Sequence, residues 1–163
     1  MPRSGGGARS GVSLRARALR LLAQREHSRL ELSRKLGPHA ESEAQLSSLL
    51  DGLETEGLLS AERFARSLIH RRAGRFGLRR IEQELGTHRL EPEVASPLLE
   101  EVAAAERDQA LNVWRRRFGV LPGTPEERAR QLRFLGQRGF TGETIAWVLR
   151  HGARGEEGVD DSI

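Results

Sequence analysis

The sequence predicts an all-α protein of three tandem three-helix, helix-turn-helix-like repeats that stack into an elongated, curved array. Three observations carry that expectation. The first is a recurring mark, a Leu-Gly step with an apolar pair twelve and thirteen residues after the glycine. It occurs as Leu36-Gly37 with Leu49-Leu50, as Leu85-Gly86 with Leu98-Leu99, and as Leu135-Gly136 with Val148-Leu149. The glycines follow one another at intervals of 49 and 50 residues, a spacing that marks stacked supersecondary units. The second is composition: 37% of residues are hydrophobic but only 4% aromatic, so any core is built from Leu and Ala rather than rings. Leu and Ala favour helices, as do the Arg, Glu and Gln that supply much of the remainder. The third is apolar spacing at helical period through each repeat.

The elements follow in order. Residues 1–13 read as a disordered basic tail, being Gly-, Ser- and Arg-rich without an apolar run. Leu14, Ala18, Leu21 and Leu22 then mark one face of a helix running to about Glu26. Ser28 to Glu31 forms a capping box that opens a short second helix to Leu36, where Gly37-Pro38 should close it with a left-handed glycine. Leu46, Leu49, Leu50 and Leu53 give the stripe of a third helix that stops at Gly57, completing repeat 1 over residues 14–57.

Repeat 2, residues 58–105, opens with Phe64, Ala65, Leu68 and Ile69 on one helix face. A basic turn, Arg71 to Gly77, leads to a helix with Leu78, Ile81 and Leu85 inward. The next helix has Pro92 in its first turn and Val94, Leu98 and Leu99 as packing residues. Pro97 lies about a turn inside, so this helix is expected either to start late or to kink. The run Val102 to Ala105 has no stop signal, so it can merge with the following helix. Repeat 3, residues 106–151, has Ala110, Leu111, Trp114 and Phe118 on one face. A loop at Gly119–Gly123 follows, and Thr124-Pro125-Glu126-Glu127 is a second capping box. Leu132 and Leu135 are its expected inward residues, and Ile145, Val148 and Leu149 those of the last helix. Residues 152–163 carry four acids against one Arg and read as an acidic tail. A single repeat buries few apolar side chains against its chain entropy, so the repeats need one another.

Composition narrows the chemistry. With no cysteine, disulfides and thiolate metal sites are excluded. No run approaches the roughly 20 apolar residues of a membrane helix, and a cytoplasmic protein without membrane contact is expected. His27, His39, His70, His88 and His151 are scattered without metal-ligand spacing, and each reads as a surface or capping residue. Gly74-Arg75-Phe76-Gly77 lacks the phosphate-loop form. Glu82 and Glu84 point to different helix faces, and Ser47-Ser48 has no nearby base. The expectation is a protein with no catalytic residues, no metal and no cofactor.

The charge is more informative. The chain has 27 basic and 23 acidic residues, a net of +4, and Lys35 is its one lysine. Residues 63–90 hold eight arginines against Glu82 and Glu84, whereas 91–106 hold five glutamates and no arginine. Arg72, Arg75 and Arg79 can line one side of the turn before a helix N-terminus, where free amides also attract anions. A planar guanidinium binds oxyanions in pairs, so a phosphate or an acidic protein surface is the expected partner, set against a merely solvated basic face. Phe76 can stack on a base or serve as a buried anchor. Arg115, Arg116 and Arg117 form a second basic run.

Certain blocks resemble one family. Arg25 to Leu32 followed by Lys35-Leu36 is similar to the first-unit signature of the RecX regulatory proteins. Arg63-Phe64-Ala65 through Gly77 to Leu85 resembles that family's central block, and Phe134 to Phe140 with Ile145 and Val148 resembles its C-terminal block. The resemblance spans roughly residues 14–151. Two places depart from it: Gly57 to Glu62 stands where the family has a Gly-Tyr-Leu-Asp-Asp-like run, and His88-Arg89-Leu90 replaces a Lys-Gly-Ile-like turn. The resemblance implies a non-enzymatic regulator that binds the RecA–single-stranded-DNA filament and blocks its extension. RecA recombinase, ATPase and coprotease activities would fall, which bears on DNA repair, recombination and the SOS response. The implied partners are the RecA filament and single-stranded DNA, met directly or through RecA, by a monomer. The contact candidates are Arg66, Arg71, Arg72, Arg75, Arg79, Arg80, Arg115, Arg116 and Arg117. The alternative reading is a helix-turn-helix DNA-binding regulator, which three-helix units also suit, although no helix here displays the Asn, Gln and Arg set that reads base edges.

Overall fold

A computed structural model of the chain describes residues 11–154. Most of the basic tail expected over 1–13 and of the acidic tail expected over 152–163 lies outside the described residues. Within them the fold is the expected all-α one: eight α-helices, two 3-10 turns and no strand. The helices are α1 (Leu14–Gln24), α2 (Arg29–Leu36), α3 (Glu43–Thr55), α4 (Ala61–Arg72), α5 (Leu78–Gly86), α6 (Pro92–Arg117), α7 (Pro125–Gln137) and α8 (Gly142–His151). The chain divides into two compact units, one ending at Ala61 and one beginning at Glu62.

The first unit packs α1, α2 and α3 around Ala18, Leu32, Leu36, Leu46, Leu50, Leu53 and Leu59. Side chains satisfy the open helix starts. The hydroxyls of Ser13, Ser28 and Ser42 accept from the amides of Ala16, Glu31 and Gln45, each at 3.1 Å. Gly57 ends α3 with φ +74°, and the amides of Leu58 and Leu59 fold back onto the Leu53 carbonyl, which turns Leu59 into the core. Of the surface or capping roles expected for the histidines, His27 does not take the surface one, being 1% exposed, and it lies against Arg25, the C-cap residue of α1. Its Nδ1 lies 3.0 Å from the Arg25 carbonyl oxygen, and Lys35 Nζ lies 3.4 Å from Nε2.

The second unit has two cores threaded by one helix. Phe64, Ala65, Leu68, Ile81, Leu85 and Leu98 form the first. Ala110, Val113, Trp114, Leu135, Phe140, Ile145, Val148 and Leu149 form the second. The 26-residue α6 serves both, because nothing in its middle breaks the helix. It starts at Pro92 and runs through Pro97, so the late start allowed by the sequence does not occur. Pro97 forfeits one intrahelical donor, while at the helix start the amides of Val94 and Ala95 both bond the Glu91 carbonyl.

Three further differences are physical rather than positional. Leu132 is 37% exposed, and its neighbour Gln131 is buried instead. Gln131 accepts from Trp114 Nε1 at 2.8 Å and donates to the Val120 carbonyl at 3.1 Å, so an amide satisfies the ring that fills the core. The Leu-Gly steps do not use left-handed glycine: Gly37 is right-handed, with φ −49°, and Gly86 lies within α5 and Gly136 within α7. After the second and third steps the left-handed residues are Arg89 (φ 52°) and Gly139 (φ 84°), each three positions beyond the marked glycine. Finally, α8 is followed by a 3-10 turn, Gly152–Arg154, whose first residue is buried. A Cβ on Gly152 would meet the Trp114 ring at 2.7 Å.

Candidate anion cleft and protein interface

The basic turn after α4 is held against the turn between α7 and α8. The Gly77 amide donates to the Arg138 carbonyl at 2.8 Å, and the Arg79 amide donates to the Gly139 carbonyl at 3.0 Å. Approach this close needs glycine on both sides. A Cβ on Gly77 would lie 2.5 Å from Phe140 backbone atoms, and one on Gly139 would lie 2.5 Å from Arg80 Cβ. Beneath the two turns lies Glu106 of α6, 4% exposed. Its Oε1 accepts from the amides of Leu78 at 3.0 Å and Thr141 at 3.2 Å. Its Oε2 accepts from the Thr141 hydroxyl at 2.8 Å and from that of Thr144. One carboxylate therefore caps α5 and α8 together, at the ends where helix dipoles favour negative charge.

This framework creates a cleft of about 250 Å³ lined by Gly74, Arg75, Val113, Arg116, Arg117, Phe134 and Arg138. Four guanidiniums from three elements line it, and no carboxylate does. Arg116 donates to the Gly74 carbonyl at 3.1 Å, which ties the end of α6 to the turn. Arg117 lies 5.8 Å and Arg138 5.0 Å from the Phe134 ring centroid, distances at which a cation is attracted to the ring face. Among the described residues the guanidiniums of Arg75 and Arg117 have neither a hydrogen-bond acceptor nor an ion-pair partner. Such a site can hold an oxyanion through guanidinium forks.

The nine arginines selected from the sequence fall into distinct settings. Arg75, Arg116 and Arg117 line the cleft. Arg72 does not; it is bound to Glu84, with contacts of 2.9, 3.0 and 3.2 Å, and this hydrogen-bonded pairing raises its pKa above the ordinary value. Arg80 lies over Phe76, 4.5 Å from the ring centroid. Arg66 meets Glu62 at 3.2 Å and Glu101 at 3.5 Å, and Arg71 donates to the Ser67 carbonyl. Arg79 and Arg115 are exposed outside the cleft, and their guanidiniums have no hydrogen-bond or ion-pair partner among the described residues. Phe76 is half-buried against the first core of its unit and approached by Arg72, Arg80 and Arg138, so it is an anchor for guanidiniums rather than a bare stacking platform.

Sequence reasoning missed Arg138, Phe134 and Glu106. Arg138 is separated from Arg75 by more than sixty residues, and only the pairing of the two turns brings them together. The available signal was its place in a glycine turn, Gln137-Arg138-Gly139. A second hollow, about 290 Å³ between α4, α5 and α6, is lined mainly by Ile69, Leu78, Ile81, Leu98, Val102 and Phe140 and brings no catalytic set together. Among the described residues no cluster of His, Asp and Glu is placed to hold a metal ion, and no helix is long and apolar enough to cross a membrane.

Comparison with known proteins places the chain. The family model described as RecX, third three-helix domain, matches residues 105–149, beginning inside α6. The regulatory protein RecX of Ralstonia nicotianae is 47% identical over 142 residues, covering 87% of this chain and 89% of its own. That of Herbaspirillum seropedicae is 49% identical over 137 residues, covering 84% and 89%. The solved structure of RecX from Lactobacillus salivarius shares the fold, with a TM-score of 0.72 at 16% identity, over 85% of this chain and 93% of its own. A second solved regulatory protein RecX aligns with a TM-score of 0.67 at 18% identity, over 83% and 70%. With that identity along nearly the whole length of its relatives, the chain belongs to the family of RecX regulatory proteins.

Proposed function

We propose that the protein binds the RecA–single-stranded-DNA filament and inhibits RecA recombinase, ATPase and coprotease activities by blocking filament extension. In this reading it acts as a cytoplasmic monomer that modulates DNA repair and the SOS response, and it does so without catalysis of its own. Membership in a family of regulatory proteins supports a regulator, and the observation that carries the contact is the acid-free arginine cleft of the second unit. Guanidiniums presented by three elements and left without carboxylate partners attract phosphate strongly where the strand's counterions can be released. The cleft is therefore assigned to the phosphates of the strand, with Arg79, Arg80 and Arg115 on the surrounding surface.

The test is RecA ATPase on single-stranded DNA with the protein added below the RecA concentration. A block on extension predicts inhibition at less than one protein per RecA, because one stopped end silences many absent subunits. Unchanged ATPase together with sequence-specific duplex binding would favour the helix-turn-helix regulator instead.

A further inference from the structure

We propose that Glu106 is the positioning residue of the arginine cleft, setting the spacing of guanidiniums that it does not touch. The inference rests on the reading of the cleft as a phosphate contact. Of the four arginines, Arg75 and Arg138 sit on two turns, and Arg116 and Arg117 sit on α6. Two backbone hydrogen bonds, Gly77 to Arg138 and Arg79 to Gly139, hold the turns to each other. Apolar packing also seats the second turn on α6, with Phe140 in one core with Val113 and Trp114. The polar ties of the two turns to α6 are made at one end by Arg116 on the Gly74 carbonyl, itself a cleft residue, and at the other by Glu106. Its carboxylate receives the first amide of α5, the amide and hydroxyl of Thr141 that begin α8, and the hydroxyl of Thr144. Glu106 lies ten residues before Arg116 on the same continuous helix. A single rigid element thus carries both the clamp and half of the cleft.

The site is matched to a carboxylate. Four donors converge on two oxygens, and a carboxylate accepts from all four. An amide of the same shape can keep its oxygen on the two backbone amides only by turning its NH₂ to the hydroxyl oxygens, which must reverse their own hydrogen bonds, and the charge that complements two helix N-termini is lost. Glu106→Gln therefore loosens the turns on α6 while leaving every cleft side chain chemically unaltered. A one-ångström displacement is enough to separate guanidiniums that must share phosphates of one strand.

The experiment measures binding of a fluorescent oligothymidylate to the full chain across a salt series, together with thermal unfolding. Leu68→Ala, a truncation in the first core of the unit, serves as the comparator for lost stability. Glu106→Gln is expected to weaken binding several-fold at a temperature where it is fully folded and to flatten the slope of log affinity against log salt. The flattening is about 0.7 for each phosphate of a single strand that the protein no longer neutralises. Leu68→Ala is expected to lower the melting temperature and leave the slope unchanged, since a smaller folded fraction alters amplitude and not the number of ions released. If Glu106→Gln does not fold, Thr144→Val, which removes one donor to the same carboxylate, is measured by the same criterion. A folded variant with unaltered affinity and slope overturns the positioning role while leaving the cleft's assignment standing. Failure of the unaltered protein to bind the oligonucleotide overturns the assignment and this inference with it.

Discussion

Gly77 and Gly139 differ from the helical Gly86 and Gly136 in what surrounds them. A methyl group at Gly86 or Gly136 meets nothing within 4 Å, whereas at Gly77 and Gly139 it runs into backbone or into Arg80. Gly139 also has φ +84°, which disfavours any L-residue side chain. Gly86→Ala and Gly136→Ala are therefore expected to be neutral or to stabilise by about 0.5–1 kcal/mol, because they reduce unfolded-chain entropy at helical positions. Gly77→Ala and Gly139→Ala should each cost more than that gain, read as a lowered denaturation midpoint with unchanged slope. The glycines that mark the repeat are thus not the ones that hold it together. Buried His27 is a second residue whose effect follows from its surroundings. Desolvation is the largest influence and keeps its pKa below the ordinary imidazole value; Arg25 and Lys35 push the same way, opposed by Glu31 and the bond to the Arg25 carbonyl. Since the folded state resists protonation, the stabilisation is complete above the unfolded value near 6.5 and is lost as pH falls toward the folded one. The first unit should weaken below about pH 6.5 by up to about 1.4 kcal/mol per pH unit. His27→Asn should be less stable at neutral pH and show a flatter acid limb in urea melts; an unchanged acid limb would remove His27 from the pH response.

Among the elements, α6 shows most clearly what the sequence reveals and what it hides. Its uninterrupted alanine run allows a merged helix, and the structure has one. Its apolar residues Leu98, Ala110, Val113 and Trp114 face the two cores because helical spacing puts them there. Glu106 is invisible to the same reasoning: a glutamate in a helix reads as solvated until its partners are known, and those partners come from turns far away in the chain. The exchange of Leu132 for Gln131 has the same origin. Hydrophobicity favours the leucine, but Trp114 Nε1 needs an acceptor once buried, and an amide is the group that can accept from the ring and donate to Val120 at once. Periodicity therefore gives the faces of these helices well and fails where a buried polar group replaces an apolar one. Helix starts are legible because the capping hydroxyls of Ser28 and Thr124 bond their own helices. After the second and third Leu-Gly steps the left-handed turn falls three residues beyond the marked glycine, since neither Arg89 nor the spacing of the steps announces φ > 0.

For the chain as a whole, the useful quantity is not net charge but which charges remain after internal pairing. Arg15 is paired with Glu56, Arg25 with Glu31, Arg29 with Asp51 and Glu54, Arg66 with Glu62 and Glu101, Arg72 with Glu84, and Arg107 with Glu143. These exposed pairs add little stability each, but they cancel much of the long-range field of the arginines involved. The basic excess over residues 63–90 points to the turn after α4, yet it ranks Arg72 with Arg75 because pairing across a helical hairpin cannot be read from a linear count. It also stops short of Arg138, which belongs to a different charge neighbourhood in sequence. The structure therefore changes which substitutions test the surface. Arg72→Ala breaks its pair with Glu84 and exposes that carboxylate's charge, so it changes the local field by more than one cation, whereas Arg75 and Arg138 can be truncated without breaking an ion pair. The double variant Arg75→Ala/Arg138→Ala is expected to fold as before and to bind single-stranded DNA more weakly at low salt. Its log affinity against log salt should be shallower by about 1.4, two phosphates at about 0.7 each. Arg66→Ala/Arg71→Ala removes the same formal charge from side chains that already have partners and lie outside the cleft, so its slope should stay close to that of the parent. Equal slopes for the two double variants would mean that overall basicity, rather than the cleft, governs the contact.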